Sequence, residues 1–150
     1  QELQKTNPKN IIMDIYTDWC GPCKLMDKNT FQNQEVAKFL NDNFYAVKFN
    51  AEGNSVVNYK GKVYKNPGYK ETKSARNSSH NFTRYLGVYG YPTIVFFDKN
   101  TNPIAPITGY LTPQQIEIYL NLFRDEKYLQ IKSQDDFKEF LNNFESKFKS

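Results

Sequence analysis

Apolar residues along the chain follow two periods: short runs typical of strands, and i, i+3, i+4 repeats typical of helices. Runs at 11–16, 44–49 and 93–97 predict strands, the second of them parallel to the first. The first run is apolar on both faces apart from Asp14, which is typical of a central strand. A further strand at 104–108 is expected to return antiparallel at the sheet edge, because proline lacks the N–H that a ladder needs. Together with the helical segments, these strands predict an α/β fold.

Helical periodicity marks three further segments. An apolar repeat at 36–40 predicts the first helix. Thr112 and Gln115 form a capping box around a proline at the first helical position, and they open the second helix. Ser133 opens the third, which is expected to continue to Phe148. Its aromatic stripe is expected to pack against the domain rather than to bind a partner: Phe137, Phe140, Leu141, Phe144 and Phe148.

Residues 51–84 are polar and interrupt the apolar pattern. A turn at Lys60-Gly61 predicts a small hairpin, and 80–86 predicts a short helix. The segment has a net charge of +5, compared with +4 for the whole chain. It contains no nucleic-acid motif, so we interpret it as surface decoration, with docking of a protein partner as the alternative. Its basic residues are Lys60, Lys62, Lys65, Lys70, Lys73, Arg76 and Arg84.

Length and hydropathy restrict the class of protein. A chain of 150 residues, 39% of them hydrophobic, suffices for one core. We therefore expect a single domain, 1–150, with 51–84 as an insertion and 124–150 as a C-terminal helical extension. The mean hydropathy is -0.75, and no run approaches the roughly 18 apolar residues of a membrane helix. The sequence predicts no transmembrane segment, and we expect a monomer.

The two cysteines, Cys20 and Cys23, lie where a strand is followed by a helix. The thiolate is the reactive form of cysteine, and a helix N-terminus stabilises it through free N–H groups and the macrodipole. We therefore expect Cys20 to attack a disulfide and Cys23, one turn later, to resolve the mixed disulfide. A structural disulfide or half of a zinc site are the alternatives. Zinc takes four ligands, however, and His80, interpreted here as a surface residue, is the only histidine.

The segment Trp19-Cys20-Gly21-Pro22-Cys23-Lys24 resembles the active-site motif of the thioredoxin family. Asp14 lies where thioredoxins have a buried carboxylate, and Lys48 lies where they have its lysine neighbour. Tyr91-Pro92-Thr93 resembles the cis-proline loop, and Gly109 resembles the glycine that flanks the substrate groove. The resemblance implies a thioredoxin-like fold, in which helices flank a central mixed β-sheet.

The resemblance also implies roles for these residues. Asp14 is expected to have a raised pKa and to exchange a proton with Cys23, with Lys48 as its electrostatic partner. A cis Tyr91–Pro92 bond would bring the Tyr91 backbone beside the cysteines. The residues expected to bind substrate are Trp19, Gly21, Pro22, Tyr91, Pro92 and Gly109.

The resemblance covers about residues 10–123 and departs from the family pattern in three places. Asn50 and Pro92 are 42 positions apart, much further than in thioredoxins. Lys28 stands where the family places a kink proline, and the helix after Ser133 is an addition. These elaborations resemble the extracytoplasmic thioredoxin-like proteins of bacteria. They favour a periplasmic or otherwise exported protein, with the cytoplasm as the alternative.

The expected function is thiol–disulfide exchange on protein substrates, in the direction of reduction, because a Gly-Pro spacer resembles that of the reducing members. A disulfide isomerase or oxidase and a redox-inactive protein-binding module are the alternatives. The expected partners are protein disulfides and an upstream dithiol donor, with no nucleic acid. The cysteine pair is itself the redox centre, so no metal and no separate cofactor are expected.

Overall fold

The computed structural model describes residues 2–71 and 76–149, and no helix in these ranges is long and apolar enough to cross a membrane. The strands are β1 (Asn10–Tyr16), β2 (Phe44–Asn50), β3 (Val57–Tyr59), β4 (Lys62–Tyr64), β5 (Thr93–Phe97) and β6 (Pro103–Thr108). The α-helices are α1 (Gly21–Met26), α2 (Gln34–Asn43), α3 (Asn81–Tyr85), α4 (Pro113–Arg124) and α5 (Gln134–Asn143). Short 3₁₀ and π segments lie at Glu2–Lys5, Asp27–Phe31 and Glu126–Gln130.

The main sheet has the strand order β2-β1-β5-β6. β1 and β2 are parallel, with Asp14 opposite Lys48, whereas β5 is antiparallel to β1 and β6 is antiparallel to β5. The sheet is therefore mixed, as predicted, with β6 at one edge. Because β1 is a central strand, the turn that carries the cysteines follows the end of a strand in the middle of the sheet.

Alternate residues of the central strands belong to two hydrophobic clusters, one on each face of the sheet. On one face, Ile12 and Phe96 pack with residues of α2 and α4. On the other face, Ile15 and Phe97 pack with residues of the insertion. Each large apolar side chain buried in this way contributes about 1.5–3 kcal/mol. The two clusters fix β1, and therefore the cysteine turn, from both sides.

The insertion is part of the second cluster and is thus anchored in the core, while its described basic residues are exposed. Its interpretation as surface decoration rather than a docking site stays a prediction. The predicted hairpin forms from β3 and β4. Tyr59 and Tyr64 of the hairpin are buried, and the centroid of each ring lies 5.2 Å from that of Phe82 in α3. The basic residues lie between these aromatic anchors, except for Lys73 and Arg84: Lys73 lies outside the described residues, and Arg84 is exposed on α3.

The interpretation of His80 as a surface residue is wrong, because its side chain is fully buried. Its Nδ1 accepts a hydrogen bond from the backbone N–H of Phe82 at 3.0 Å and caps α3. Its Nε2 lies 2.6 Å from the carbonyl oxygen of Ser55. The imidazole is tolerated in the interior because both of its nitrogens have partners in the backbone.

The last helix, α5, ends at Asn143, so the predicted continuation to Phe148 is wrong. The segment after it is fixed by the buried carboxylate of Glu117 in α4, which accepts the backbone N–H groups of Lys147 and Phe148 at 2.8 and 3.1 Å. The Phe148 ring then packs edge-on against Phe39, with the centroids 5.8 Å apart. Phe137, Phe140 and Phe148 pack against the domain, as predicted, whereas Leu141 is exposed. Only part of the stripe is helical.

The chain after the cysteines contains a π turn at the position where the family places a kink proline. α1 ends at Met26, and Lys28 lies in the π turn that follows it, Asp27–Phe31. α2 then begins separately, with the Asn33 side chain accepting the backbone N–H of Glu35 at 3.0 Å as its cap. π turns within helices are often found at functional sites. Here the turn faces the sheet next to the cysteine pair, as described below.

Candidate active site

Cys20 and Cys23 form a disulfide at the start of α1, with their Cα atoms 5.3 Å apart. Cys20 is the N-cap residue, and its Sγ accepts a hydrogen bond from the Cys23 N–H at 3.1 Å. Pro22 lies in the first turn, where its missing N–H leaves no helical hydrogen bond unmade, and Gly21 beside it is exposed. This arrangement places the sulfur of Cys20 where the free N–H groups and the macrodipole stabilise a thiolate.

Solvent exposure does not distinguish the two cysteines. Cys20 is 2% exposed and Cys23 is 7% exposed. The position of Cys20 at the helix N-terminus is therefore what favours it as the attacking residue.

Asp14 lies behind the disulfide on β1 and is buried. A cavity of about 150 Å³ is lined by both Asp14 and Cys23, so the carboxyl group and the resolving cysteine share one small space. Thr17 lines the same cavity, and its buried hydroxyl has no hydrogen-bond partner among residues 2–71 and 76–149. On its other side Asp14 lines a second cavity, of about 240 Å³, between α2 and β2. The structure therefore brings together the predicted acid and the predicted resolving thiol.

Burial raises the pKa of Asp14 to about 6, while Lys48 lowers it and Asp27 raises it. The Nζ of Lys48 lies 3.2 Å from Oδ1 of Asp27, so the ion pair of Lys48 is with Asp27. Lys48 also lowers the pKa of Asp14, in keeping with the expected electrostatic partnership, although its direct ion pair is with Asp27. The Lys48–Asp27 pair is about half exposed, so it contributes at most about 1 kcal/mol to stability.

Asp27 was not predicted as a site residue, although the sequence contains a signal for it. Asp27 follows Cys23 by four residues, and side chains at this spacing lie on the same face of a helix. The π turn keeps it close to that face, where it lines both cavities next to Asp14. Two carboxyl groups and one ammonium group therefore control the charge behind the disulfide.

On the outer side of the disulfide, the Tyr91–Pro92 bond is cis, as the resemblance implies. The N–H of Gly109 donates to the carbonyl of Pro92 at 2.8 Å, and its φ of +115° is one that other residues rarely adopt. The Tyr91 ring meets Trp19 edge-on, with the centroids 6.1 Å apart. Burial raises the pKa of Tyr91, and the Ser79 hydroxyl lowers it in part. The cis-proline loop thus lies next to the loop that carries the cysteines.

The insertion reaches this outer side at Trp19. One oxygen of Glu52 accepts the indole N–H of Trp19 and the backbone N–H of Asn77, each at 2.9 Å. The guanidinium group of Arg76 lies over the indole ring, 4.5 Å from its centroid. The sequence analysis assigned no role at the site to Glu52 or Arg76, because no motif marks them and the thioredoxin pattern has no counterpart of the insertion.

The redox group of the site is the disulfide itself. Among residues 2–71 and 76–149, no three or more His, Cys, Asp or Glu side chains are grouped so that they could bind a metal ion. Both ring nitrogens of His80, the histidine considered above as a zinc ligand, already contact the backbone.

Comparison with known proteins agrees with this geometry. The family model of the thioredoxin-like domain matches residues 1–124. The chain belongs to this family. Thiol:disulfide interchange protein DsbD of Tatumella citrea is 28% identical to it over 128 residues, which are 84% of this chain but 18% of that protein. This thioredoxin-like chain therefore spans about a fifth of the length of that relative.

Solved structures show the same fold. A thioredoxin-fold protein from Helicobacter pylori superposes with a TM-score of 0.64 at 22% identity, covering 91% of this chain and 81% of the other. The C-terminal domain of Neisseria meningitidis DsbD in its reduced form superposes with a TM-score of 0.52 at 16% identity, covering 81% and 87%. These similarities confirm the predicted thioredoxin-like fold.

Proposed function

We propose that this protein is a thiol–disulfide oxidoreductase that reduces disulfides in protein substrates. The observation that carries the proposal is the Cys20–Cys23 disulfide at a helix N-terminus, with the Asp14 carboxyl group in the cavity next to Cys23. Membership of the thioredoxin-like family, and similarity to a protein named for thiol:disulfide interchange, support it. The fold and the site are thus suited to one chemistry.

The reaction begins with the reduced protein, in which both cysteines are thiols. The Cys20 thiolate attacks one sulfur of the substrate disulfide, and the other substrate sulfur leaves as a thiolate. Cys23 then attacks Cys20 and expels the substrate as a second thiolate. The substrate gains two electrons and two protons, and the protein ends as the Cys20–Cys23 disulfide.

Asp14 acts in the second step. Cys23 is a weak nucleophile until it loses its proton, and Asp14 is the carboxyl group that shares its cavity. A pKa of about 6 leaves Asp14 mostly ionised at neutral pH, yet makes it a stronger base than an ordinary aspartate. Lys48 and Asp27 adjust this basicity in opposite directions.

The substrate is expected to bind on the outer side as an extended segment beside Pro92. In this position it can pair with the backbone of Tyr91, while the ring of Trp19 forms an apolar wall. Gly21, Pro22 and Gly109 border the same groove. Gly21 and Pro22 are exposed and leave room for a backbone to approach.

Each cycle leaves the protein oxidised, so an upstream dithiol donor must reduce it again. The similarity to DsbD, a thiol:disulfide interchange protein, is the basis for proposing that both the donor and the substrates are proteins. The insertion and the C-terminal extension, which resemble elaborations of extracytoplasmic thioredoxin-like proteins, are the basis for placing this protein outside the cytoplasm.

The proposal is tested by the reduction potential of the Cys20–Cys23 pair, measured by titration against a thiol buffer, alkylation and mass spectrometry. A value near about -270 mV is expected, because reductases of the thioredoxin type lie there. A value near about -120 mV would instead indicate an oxidase or isomerase. A pair that does not cycle at all would contradict the redox function.

The small exposed fraction of Cys20 favours a second candidate, a binding module in which the cysteine pair is not used in turnover. The two candidates differ in their response to Cys20→Ser. An oxidoreductase loses partner reduction completely, whereas a binding module retains both binding and function.

A further inference from the structure

Arg76 lies on the outer side of the disulfide, where it contacts the ring of Trp19. Its guanidinium carbon lies 4.5 Å from the centroid of Trp19. Trp19 directly precedes Cys20, and its ring also meets Tyr91 next to the cis-proline. A positive charge therefore stands beside the groove in which the substrate cysteine is proposed to react.

A planar guanidinium group can use its face and its edge for different partners. The guanidinium carbon of Arg76 lies over the Trp19 ring, and a guanidinium group stacked on an aromatic ring can still bind a carboxylate through its N–H donors in a bidentate manner. In the described part of the chain, no carboxylate lies within ion-pair distance of Arg76. The carboxylate of Glu52, near the same indole, already accepts hydrogen bonds from Trp19 and Asn77. The edge of Arg76 is thus available to an incoming acidic residue.

The net positive charge of the insertion also favours an acidic partner. Residues 51–84 have a net charge of +5, whereas the whole chain has +4. A basic region of this kind attracts an acidic partner over about 10 Å at moderate salt. The carboxylate that it attracts meets the Arg76 edge only if it lies close to the reacting cysteine.

We propose that Arg76 is a specificity residue that makes this protein prefer protein disulfides with Asp or Glu next to the cysteine that Cys20 attacks. This inference rests on the proposed function, because it names the class of substrate for the same site. It concerns only the approach of the substrate, so the chemistry at the two sulfurs is unchanged.

The test uses two short peptides that differ at one position, with either Glu or Lys next to a single cysteine. Each cysteine is joined by a disulfide to a coloured thiol, 5-thio-2-nitrobenzoate. Cys20 of the reduced protein attacks the peptide sulfur and releases the coloured thiolate, and Cys23 then attacks Cys20 and releases the peptide thiol. The protein dithiol supplies both electrons, and the rate of colour release measures attack by Cys20.

We expect the unsubstituted protein to react about threefold faster with the Glu peptide, the size of effect typical of an exposed ion pair. Arg76→Gln should remove the preference, Arg76→Glu should reverse it, and Arg76→Lys should retain part of it. Arg84→Gln is the matched control, because Arg84 is the other arginine of the insertion and is exposed on α3. Point substitutions are used because deleting the hairpin would remove buried Tyr59 and Tyr64 from the core.

Equal rates for the two peptides, or the same preference in Arg76→Gln as in Arg84→Gln, would overturn the inference and leave the proposed function intact. Failure of the reduced protein to react with either peptide, or with a small neutral disulfide, contradicts the proposed function instead. In that case the affinities of the two peptides for the Cys20→Ser variant decide the charge preference. Trp19 is the single tryptophan of the chain, so its fluorescence reports this binding.

Discussion

The two sides of the cysteine pair are built from different parts of the chain and differ in burial. On the inner side, neighbouring strands and a π turn place Asp14, Lys48 and Asp27 around a small cavity. On the outer side, the insertion places Glu52 and Arg76 against the indole ring of Trp19. Under the proposed function, the inner residues change the protonation of groups that every substrate must use. The outer residues, under the same proposal, act only on groups that differ from one substrate to another.

This difference has a measurable consequence. Substitutions on the inner side should change the reaction with all disulfides by the same factor and should alter its pH dependence. Substitutions on the outer side should change the ratio between substrates and leave a small neutral disulfide unaffected. An inner substitution that altered selectivity, or an outer one that altered the pH profile, would show that the two sides are not independent.

The largest effect is expected from the cysteines, which belong to both sides. Cys20→Ser should abolish the reduction of every disulfide, because it removes the attacking thiol and leaves only the resolving residue, Cys23. Cys23→Ser should still attack but fail to resolve, so that mixed disulfides with substrates accumulate. Mass spectrometry without reductant distinguishes the two variants. Accumulation in Cys20→Ser instead would reverse the roles assigned to the two cysteines.

The next effect concerns Asp14, whose pKa is raised by burial from 3.8 to about 6. The folded protein binds this proton more tightly than the unfolded chain, so its contribution to stability is full at low pH and is lost as the pH rises through about 6. Asp14→Asn removes the buried charge. Urea denaturation of the oxidised variant should show a gain of about 2–3 kcal/mol near neutral pH and a flatter profile in the acid range.

The same variant should lose activity, because an amide cannot accept the proton of Cys23. Resolution of the mixed disulfide is expected to slow by at least about tenfold at neutral pH, equally for acidic and basic peptides. Asp135→Asn is the matched control, since Asp135 is an exposed acid of α5 that lines neither cavity beside the disulfide. If Asp14→Asn, like this control, left both the stability and the rate of resolution unchanged, the role assigned to Asp14 would be excluded.

The inner side could be predicted largely from sequence, because its residues belong to regular elements at fixed offsets from the cysteines. Asp14 precedes Cys20 by six residues along one strand and its loop. The strands themselves follow from apolar runs that match the observed bounds within a residue or so. The ion pair of Lys48 with Asp27 could not be predicted, because Asp27 lies in a π turn that no periodicity in the sequence indicates.

The outer side and the insertion could not be predicted in this way. Arg76 lies far from Trp19 in sequence and reaches it only once the insertion has folded. The burial of His80 depends on backbone partners on both sides of it, at Ser55 and Phe82, and no periodicity indicates these. Polar composition suggested a solvated loop, whereas a few aromatic residues were enough to anchor the segment in the core.

Two further substitutions test the charges on the inner side. Asp27→Asn and Lys48→Gln should shift the pH midpoint of mixed-disulfide resolution in opposite directions. Asp27 raises the pKa of Asp14, so Asp27→Asn should shift the pH midpoint of resolution downwards. Lys48 lowers that pKa, so Lys48→Gln should shift the midpoint upwards. The measurement is the rate of resolution across pH with a neutral peptide. Shifts in the same direction would contradict the arrangement of charges inferred here.

The smallest effect is expected from Glu52→Gln on the outer side. The amide retains an acceptor for the Trp19 N–H, but the negative charge beside Arg76 is lost. The preference for the Glu peptide over the Lys peptide should therefore rise, by less than about twofold, opposite in sign to Arg76→Gln. Glu71→Gln is the matched control, because Glu71 is the other acid of the insertion and is exposed. A change of equal size in both variants would mean that the net charge of the insertion, rather than the pair on Trp19, sets the selectivity.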